Sequence, residues 1–535
     1  MLTKNLTFLD LFCGCGGFSL GMQRAGLKCL AGIDFNPEAV SVMKANFPQV
    51  PLVLEKDLTK FTPEDLQKQL NGESPDVIVG GPPCQGFSTA RQVDGANHGT
   101  RLTEDPRRLL YQFFLRYVEH FKPKVFVMEN VLGIRTASGG EYFTRVQAEA
   151  RLLGYRVHAQ TEDCIELGLP QKRRRQLFIG TRIDIPHFFV PKLSPAPRAS
   201  SYPCLHDAIG DLPVLAAGEG AEEREYDLAL RQKFIKATGG SYLSKVLEIE
   251  ESPKLTAHRA RPHSARDLRD FLRLEEGESS AEAMRRGVEF EFPYDKTSFK
   301  DRYTRQSRWQ ACSTIVAHLS KDGLMFIHPQ QNRSLTPREA ARVQSFPDWY
   351  SFPVARTHQF RVIGNAVPPL VSEAVGIAVK KYLSKTGTSP QIPPGRLKSF
   401  PSDEKQASDW LVNILEQDSR GLRDLVPVEF NRAWYSIVYI HGELHPDGAL
   451  GHGRSIRQKA KDHPLQGQVD DRLLGPCYEQ SGWPVALELV ASEAWRRYRT
   501  KTMSDDEFYC SEVQIAAMSR RSARGEPTGS KVRRA

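Results

Sequence analysis

The first 190 residues alternate short apolar runs with amphipathic stretches. Leu6-Thr-Phe-Leu-Asp-Leu-Phe reads as a strand and runs straight into a glycine-rich turn. Helical spacing follows over residues 19–25, and Cys29-Leu-Ala-Gly-Ile reads as a second strand. Val53-Leu-Glu-Lys is a short third run. Asp76-Val-Ile-Val and Lys124-Val-Phe-Val-Met are two more, separated by a helical stretch over 109–120. Strand–helix alternation predicts an α/β fold with a doubly wound, mostly parallel sheet, which binds ligands at the carboxyl ends of its strands. Polar or reactive residues stand at those ends: Asp10, Asp34, Asp57, Cys84 and Glu129. Five strand ends of one such sheet are expected to bring them to one rim.

The pattern changes over 191–330, which is polar and rich in Pro, Arg and His, as in His258-Arg-Ala-Arg-Pro-His-Ser-Ala-Arg. This predicts a small inserted domain. Periodicity returns near Ser313-Thr-Ile-Val-Ala and ends in a helix over 370–382. The predicted organisation is therefore a catalytic and ligand-binding domain of 1–190 completed by 335–383, an inserted domain of 191–330, and a linker of 384–401. A separate C-terminal domain follows at 402–520, with a basic tail at 521–535. Four of the six tryptophans lie in 402–520, a composition that favours a folded segment.

Composition narrows the picture further. Hydrophobic residues make up 40% and charged residues 26%, as in a soluble globular protein. No apolar run reads as long enough to span a membrane, and the N-terminus lacks a signal-peptide pattern, so a cytoplasmic location is expected. Nine cysteines, an odd number without disulfide or zinc spacing, predict reduced thiols and no metal site. The net charge is +9, with the excess ahead of residue 401, which suits a polyanionic partner such as nucleic acid.

Four segments carry chemistry. In Asp10-Leu-Phe-Cys-Gly-Cys-Gly-Gly-Phe-Ser the glycines allow a tight turn whose backbone N–H groups face a ligand. Asp34, about twenty residues on, is placed for ribose hydroxyls. Gly80-Gly-Pro-Pro-Cys-Gln-Gly-Phe-Ser stiffens the backbone around Cys84. A fixed thiol there is a candidate nucleophile, although the same turn could hold an incidental cysteine. Phe126-Val-Met-Glu-Asn-Val offers Glu129 for proton transfer on a heterocycle. In Gln171-Lys-Arg-Arg-Arg-Gln the alternate residues Gln171, Arg173 and Arg175 would point one way on a strand, toward a base carbonyl or phosphate.

Together with Leu335-Thr-Pro-Arg-Glu-Ala-Ala-Arg-Val-Gln-Ser-Phe-Pro-Asp and Gly364-Asn-Ala-Val-Pro-Pro, these segments in this order resemble the cytosine-5 DNA methyltransferase family in its bacterial restriction–modification form, over about residues 5–383. The resemblance implies a Rossmann-like S-adenosylmethionine-dependent fold with 191–330 as target-recognition domain. It implies that Phe12, Cys15, Gly17, Asp34, Asp57, Pro83 and Asn365 bind the cofactor. Phe12 would lie against adenine, Asp34 on the ribose and Asp57 on the adenine amino group. Cys84 would be the nucleophile, Glu129 the group at cytosine N3 and Arg175 the contact to cytosine O2. Arg173 joins this catalytic set, while Gln171, Ser88 and Asn130 would bind substrate. The implied partner is double-stranded DNA, bound by a monomer, with a cognate restriction endonuclease acting on the same site. Rival readings are a tRNA-modifying enzyme of the same fold, which lacks a large insertion, and a catalytically dead DNA-binding relative, which would not need Cys84, Glu129, Arg173 and Arg175 together. A nicotinamide dehydrogenase requires a different glycine spacing. Residues 402–520 match no known pattern and suggest a fused DNA-binding or partner-binding module.

Overall fold

The computed structural model describes residues 6–83, 109–182, 193–252, 254–292 and 303–384. Its first part runs β1 (Thr7–Leu11), α1 (Gly17–Arg24), β2 (Lys28–Asp34), α2 (Pro37–Asn46), β3 (Leu52–Glu55), α3 (Pro63–Gln69) and β4 (Val77–Gly80). It continues with α4 (Leu110–Phe121), β5 (Val125–Asn130), α5 (Glu141–Leu152), β6 (Tyr155–Asp163), β7 (Gln171–Lys172) and β8 (Arg174–Arg182). The seven-stranded sheet has the order β3-β2-β1-β4-β5-β8-β6. The pairs β2–β3, β1–β2, β1–β4 and β4–β5 are all parallel. The chain first steps outward from β1 through β2 to β3, then returns to β4 on the other side. The strand order thus reverses between β1 and β4, where such sheets open a ligand crevice. Strand β4 is buried throughout, which is why Val77-Ile-Val reads as an unbroken apolar run rather than an alternating one.

The later part holds α6 (Leu205–Ile209), β9 (Gly220–Arg224), α7 (Leu228–Thr238), β10 (Leu255–Arg259), α8 (Ala265–Leu272) and α9 (Ser280–Arg285). Next come β11 (Cys312–Ser313), α10 (Pro337–Val343), α11 (Arg356–Asn365) and α12 (Pro369–Ser384). Phe271, Leu274, Ala283, Phe290, Phe292, Tyr303, Leu324 and Ile327 form a hydrophobic cluster of their own. The Arg305 guanidinium donates to the carbonyls of Phe271, Leu274 and His328, tying that cluster to the segment before α10. The described residues divide into two compact units. One holds 6–134, 160–177 and 193–381, the other 135–159, 178–182 and 382–384. All of the site described below belongs to the first.

The expectation about membrane spans needs correcting. Residues Arg356–Ser384 hold an 18-residue window with a mean hydropathy of 1.5, long and apolar enough to cross a membrane. They are α11 and α12, separated by Ala366-Val367-Pro368, and 83% of the apolar window is buried within the protein. This is core. Gly17 and Gly21 of α1 and Gly376 of α12 let the two helices meet closely. A Cβ on Gly21 would lie 2.1 Å from Ser372 Oγ, and one on Gly376 would lie 2.6 Å from Ala25 Cβ.

The Leu335–Asp348 motif is structural in its chemistry. Arg342 is fully buried and pairs with Asp211 and Asp348, while Arg333 forms a two-pronged pair with Glu339. Arg338 donates to the Thr256, Pro347 and Tyr350 carbonyls. Three buried guanidiniums thereby pin segments of 208–256 against α10. A buried charge is tolerated only when paired in this way.

Candidate active site

The loop after β1 is shaped by backbone strain. Phe12 has φ +59°, a left-handed value rare for an aromatic residue, and Gly14 and Gly16 follow at +55° and +85°. Strained non-glycine residues cluster at binding sites because the cost, ~1–3 kcal/mol, must be offset by the surrounding structure. Asp34, at the end of β2, holds the loop. Its Oδ2 accepts the Gly14 N–H at 2.9 Å and its Oδ1 accepts the Asn36 N–H at 2.9 Å. Burial raises the Asp34 carboxyl above the ordinary carboxylate range, and those N–H donors partly offset the shift. Asp57 is exposed beyond β3, and hydrogen bonds from Thr59 lower its pKa.

Asn365, the last residue of α11, is exposed, and the chain after it crosses the glycine loop. A Cβ on Gly17 would stand 2.2 Å from the Val367 carbonyl, and Ser372 Oγ donates to the Gly17 carbonyl at 2.9 Å. These contacts join the first and last motifs. Cys15 buries its thiol against the Val362 carbonyl, and burial pushes that thiol up to about 12. Cys15 and the buried Gly17 can therefore line a pocket through their backbone only.

Phe35 escaped the sequence reading. It follows Asp34 directly and is 63% exposed, a large apolar ring left in solvent beside a ribose-type carboxylate. The readable signal was an aromatic residue just past an acidic strand end. Strained loop, carboxylate and open ring together fit a nucleoside, so these residues suit the adenosine part of S-adenosylmethionine.

On the other side of β1, a Cβ on Gly80 would lie 2.2 Å from the Leu11 carbonyl, so β4 passes close under the loop. Gly81 leaves room for Glu129, whose Oε2 would be 3.3 Å from an added Cβ. The Asn130 amide donates to the Pro82 carbonyl at 3.3 Å, and Pro83 is half-buried. The described chain stops there. Cys84 and Ser88 lie outside the described residues.

Glu129 Oε1 meets Arg175 Nε at 2.7 Å, both side chains being 12% exposed. These two predicted catalytic residues are brought together. Gln171 and Arg173 are not brought to the surface beside them. Gln171 is fully buried. It donates to the Val343 carbonyl and Gln344 Oε1 and accepts the Ile315 N–H. Arg173, 1% exposed, donates to the Ile315 and Ala366 carbonyls. The expectation that 171, 173 and 175 point one way is thus corrected. The strand breaks at Arg173, so β7 ends at Lys172 and β8 begins at Arg174. Arg173 thus holds the chain at Ile315 and Ala366. Asn130, 2% exposed, likewise holds the Pro82 carbonyl.

Comparison with known proteins places these features in a family. Residues 6–381 match the C-5 cytosine-specific DNA methylase family. Type II methyltransferase M.DdeI of Desulfomicrobium norvegicum is 35% identical over 394 residues, covering 70% of this chain and 89% of that protein. Type II methyltransferase M1.HphI of Haemophilus parahaemolyticus is 34% identical over 384 residues, covering 70% and 87%. Among solved structures, a candidate DNA modification methyltransferase encoded within an E. coli prophage superposes with a TM-score of 0.56 at 26% identity, covering 71% of this chain and all of that one.

Proposed function

The chain belongs to the C-5 cytosine-specific DNA methylase family, and from that premise we propose how its residues divide the work. It is a DNA (cytosine-5-)-methyltransferase using S-adenosylmethionine, of the type II restriction–modification kind. The observation that carries the site assignment is the Glu129–Arg175 pair, seated beside Gly81 on the loop that leads to Cys84.

When bound, S-adenosylmethionine supplies an electrophilic methyl group on a positively charged sulfur. Asp34, Phe35, Phe12 and Asp57 hold its adenosine end, with Asn365 closing over the loop. The target cytosine is flipped from the duplex, at a cost of a few kcal/mol. The Cys84 thiolate adds to C6, which breaks the aromaticity of the ring and makes C5 nucleophilic. Glu129 would give a proton to N3 as negative charge develops there and take it back when the ring is restored, and Arg175 has further N–H donors for the O2 carbonyl. C5 takes the methyl group through its own electron pair. Loss of the C5 proton to water then expels Cys84 and restores the ring.

Residues 191–330 are proposed to read the target sequence, a reading supported by the separate hydrophobic cluster within them. The enzyme would act as a monomer in the cytoplasm, on the site of a cognate endonuclease. The test is transfer of labelled methyl groups to mixed-sequence duplex DNA and to tRNA, followed by bisulfite sequencing. Protection of cytosines in one short DNA motif supports the reading, whereas transfer to RNA alone overturns it.

Two further outcomes are expected. Phe35→Ala should weaken S-adenosylmethionine binding by about tenfold or more, since stacking on an aromatic ring is worth ~1–3 kcal/mol. Its melting temperature should hold, because the ring is exposed. Calorimetric titration checks both, and unchanged affinity removes Phe35 from the pocket. The family match ends at residue 381, so a chain truncated after residue 399 should keep its methyl-transfer chemistry and change only in DNA affinity or partners. A folded truncation without any transfer would contradict the proposed division into domains.

A further inference from the structure

Asp10 takes no part in the chemistry above, yet its setting is costly. The side chain is fully buried. Oδ2 accepts the Ser19 hydroxyl at 2.6 Å, whereas Oδ1 has no hydrogen-bond partner. Leaving a buried acceptor unsatisfied is expensive, and such an atom in a native fold calls for an explanation.

Its place in the sheet suggests one. In register, Asp10 pairs with Gly32 of β2 on one side and Val79 of β4 on the other. Asp34 stands two residues beyond Gly32, and Cys84 follows the loop that begins after Gly80. With adenosine held at Asp34 beyond β2 and the methyl group directed toward the end of β4, the cofactor sulfur would lie between the two, near the end of β1. Asp10 is fully buried one residue before that strand end, with its Ser19 partner on α1, the helix that follows the glycine loop.

We propose that Asp10 is a charge-discriminating residue, whose unpartnered buried oxygen makes the pocket hold the sulfonium methyl donor more tightly than the neutral thioether product. This rests on the reading of the site as an S-adenosylmethionine pocket. In the transfer the methyl group bonds to the C5 electron pair, and the electrons of the broken carbon–sulfur bond stay on sulfur. Donor and product therefore differ by one positive charge at that atom. A single uncompensated carboxylate several ångströms away in a water-poor site suffices for roughly tenfold discrimination. The effect favours release of spent product, and it acts without contact, so Asp10 is a positioning residue.

The groups facing Asp10 leave it to dominate. They are Ser19 on α1, Cys29 and Asp34 on β2, Cys13 and Cys15 on the loop, and Tyr350. None is a cation. Burial pushes the three thiols and the Tyr350 hydroxyl up, which keeps them neutral. Asp34 already accepts two backbone N–H groups. Burial also raises Asp10, to about 7. Below that pH it is protonated in the free protein, so taking up a cation requires proton release. Donor affinity should rise with pH and level off above about 7, and product affinity should follow this trend far less.

The test titrates full-length protein calorimetrically with S-adenosylmethionine and with S-adenosylhomocysteine, as wild type and Asp10→Asn. In wild type the donor-to-product affinity ratio should climb with pH between about 5.5 and 7, by at most tenfold per unit. In Asp10→Asn, which keeps a partner for Ser19, the ratio should be pH-independent and about tenfold lower at neutral pH, with product affinity unchanged. A wild-type ratio and slope in the variant would overturn the proposal. Should that variant not fold, proton release by the wild type decides. In buffers of different ionisation enthalpy at about pH 6.5, the donor must release more protons than the product, and equal release refutes the idea. Failure of wild-type protein to bind either compound would instead refute the pocket itself.

Discussion

Cys84→Ser should abolish methyl transfer while leaving both ligands bound. The attacking group must be a thiolate, and a serine hydroxyl has too high a pKa to be ionised without a base beside it. The loss should reach at least about a thousandfold in turnover, or ~4 kcal/mol in the barrier. The substitution changes one atom, on a loop held by Pro82 through Asn130 and packed at Gly81 against Glu129, so cofactor and DNA affinities should stay within a few-fold. Duplex DNA carrying 5-fluorocytosine gives a direct readout. Fluorine cannot leave C5 as a proton does, so the wild-type adduct cannot eliminate Cys84 and should survive denaturing electrophoresis. Cys84→Ser should form no such band. A variant with wild-type turnover would sink the covalent mechanism.

How much of this was legible in the sequence follows from which physics is local. The four strands β1, β2, β4 and β5 were readable because they are buried, apolar and bounded by glycines, prolines or acids. The helices α2 and α3 carry clear start signals in Asn36-Pro37 and Thr62-Pro63, where the Asn36 and Thr62 side chains cap the first turn. That Glu129 and Arg175 serve one base was implied by the family resemblance, whereas their direct ion pair was not foreseen. What could not be read was burial. Arg173 and Arg175 look alike in sequence, but a strand break at Arg173 sends one guanidinium into the Ile315 and Ala366 carbonyls and leaves the other beside Glu129. The same applies to Asn130 and to Cys15. The elements of 191–330 were also illegible, because short helices such as α6 and α8 are tied by long-range partners, Arg342 at the Ala208 carbonyl and Arg305 at the Phe271 carbonyl, rather than marked by their own periodicity.

Glu129→Gln should be the second severe lesion, and it separates chemistry from positioning. Glutamine keeps the size and one acceptor oxygen, so the contact with Arg175 Nε, now 2.7 Å, can survive as a hydrogen bond from the guanidinium to a neutral amide oxygen. What is lost is the ability to exchange a proton with N3 as charge builds on the ring. Proton transfer by a placed side chain contributes ~10²–10⁴-fold, so turnover should fall by that factor. Binding of S-adenosylmethionine should be unchanged, because Asp34 and the glycine loop lie on the far side of β1. The covalent adduct with 5-fluorocytosine DNA should still form, but more slowly, since attack by Cys84 and stabilisation at N3 belong to the same step. Arg175→Lys offers the complement. A lysine can neutralise Glu129, but it lacks the planar fork needed to hold Glu129 and a base carbonyl together, so it should lose turnover as well. Single-turnover kinetics on both variants, with melting curves to exclude unfolding, check the assignment. Turnover within threefold of wild type in Glu129→Gln would show that the group at N3 has to be found elsewhere.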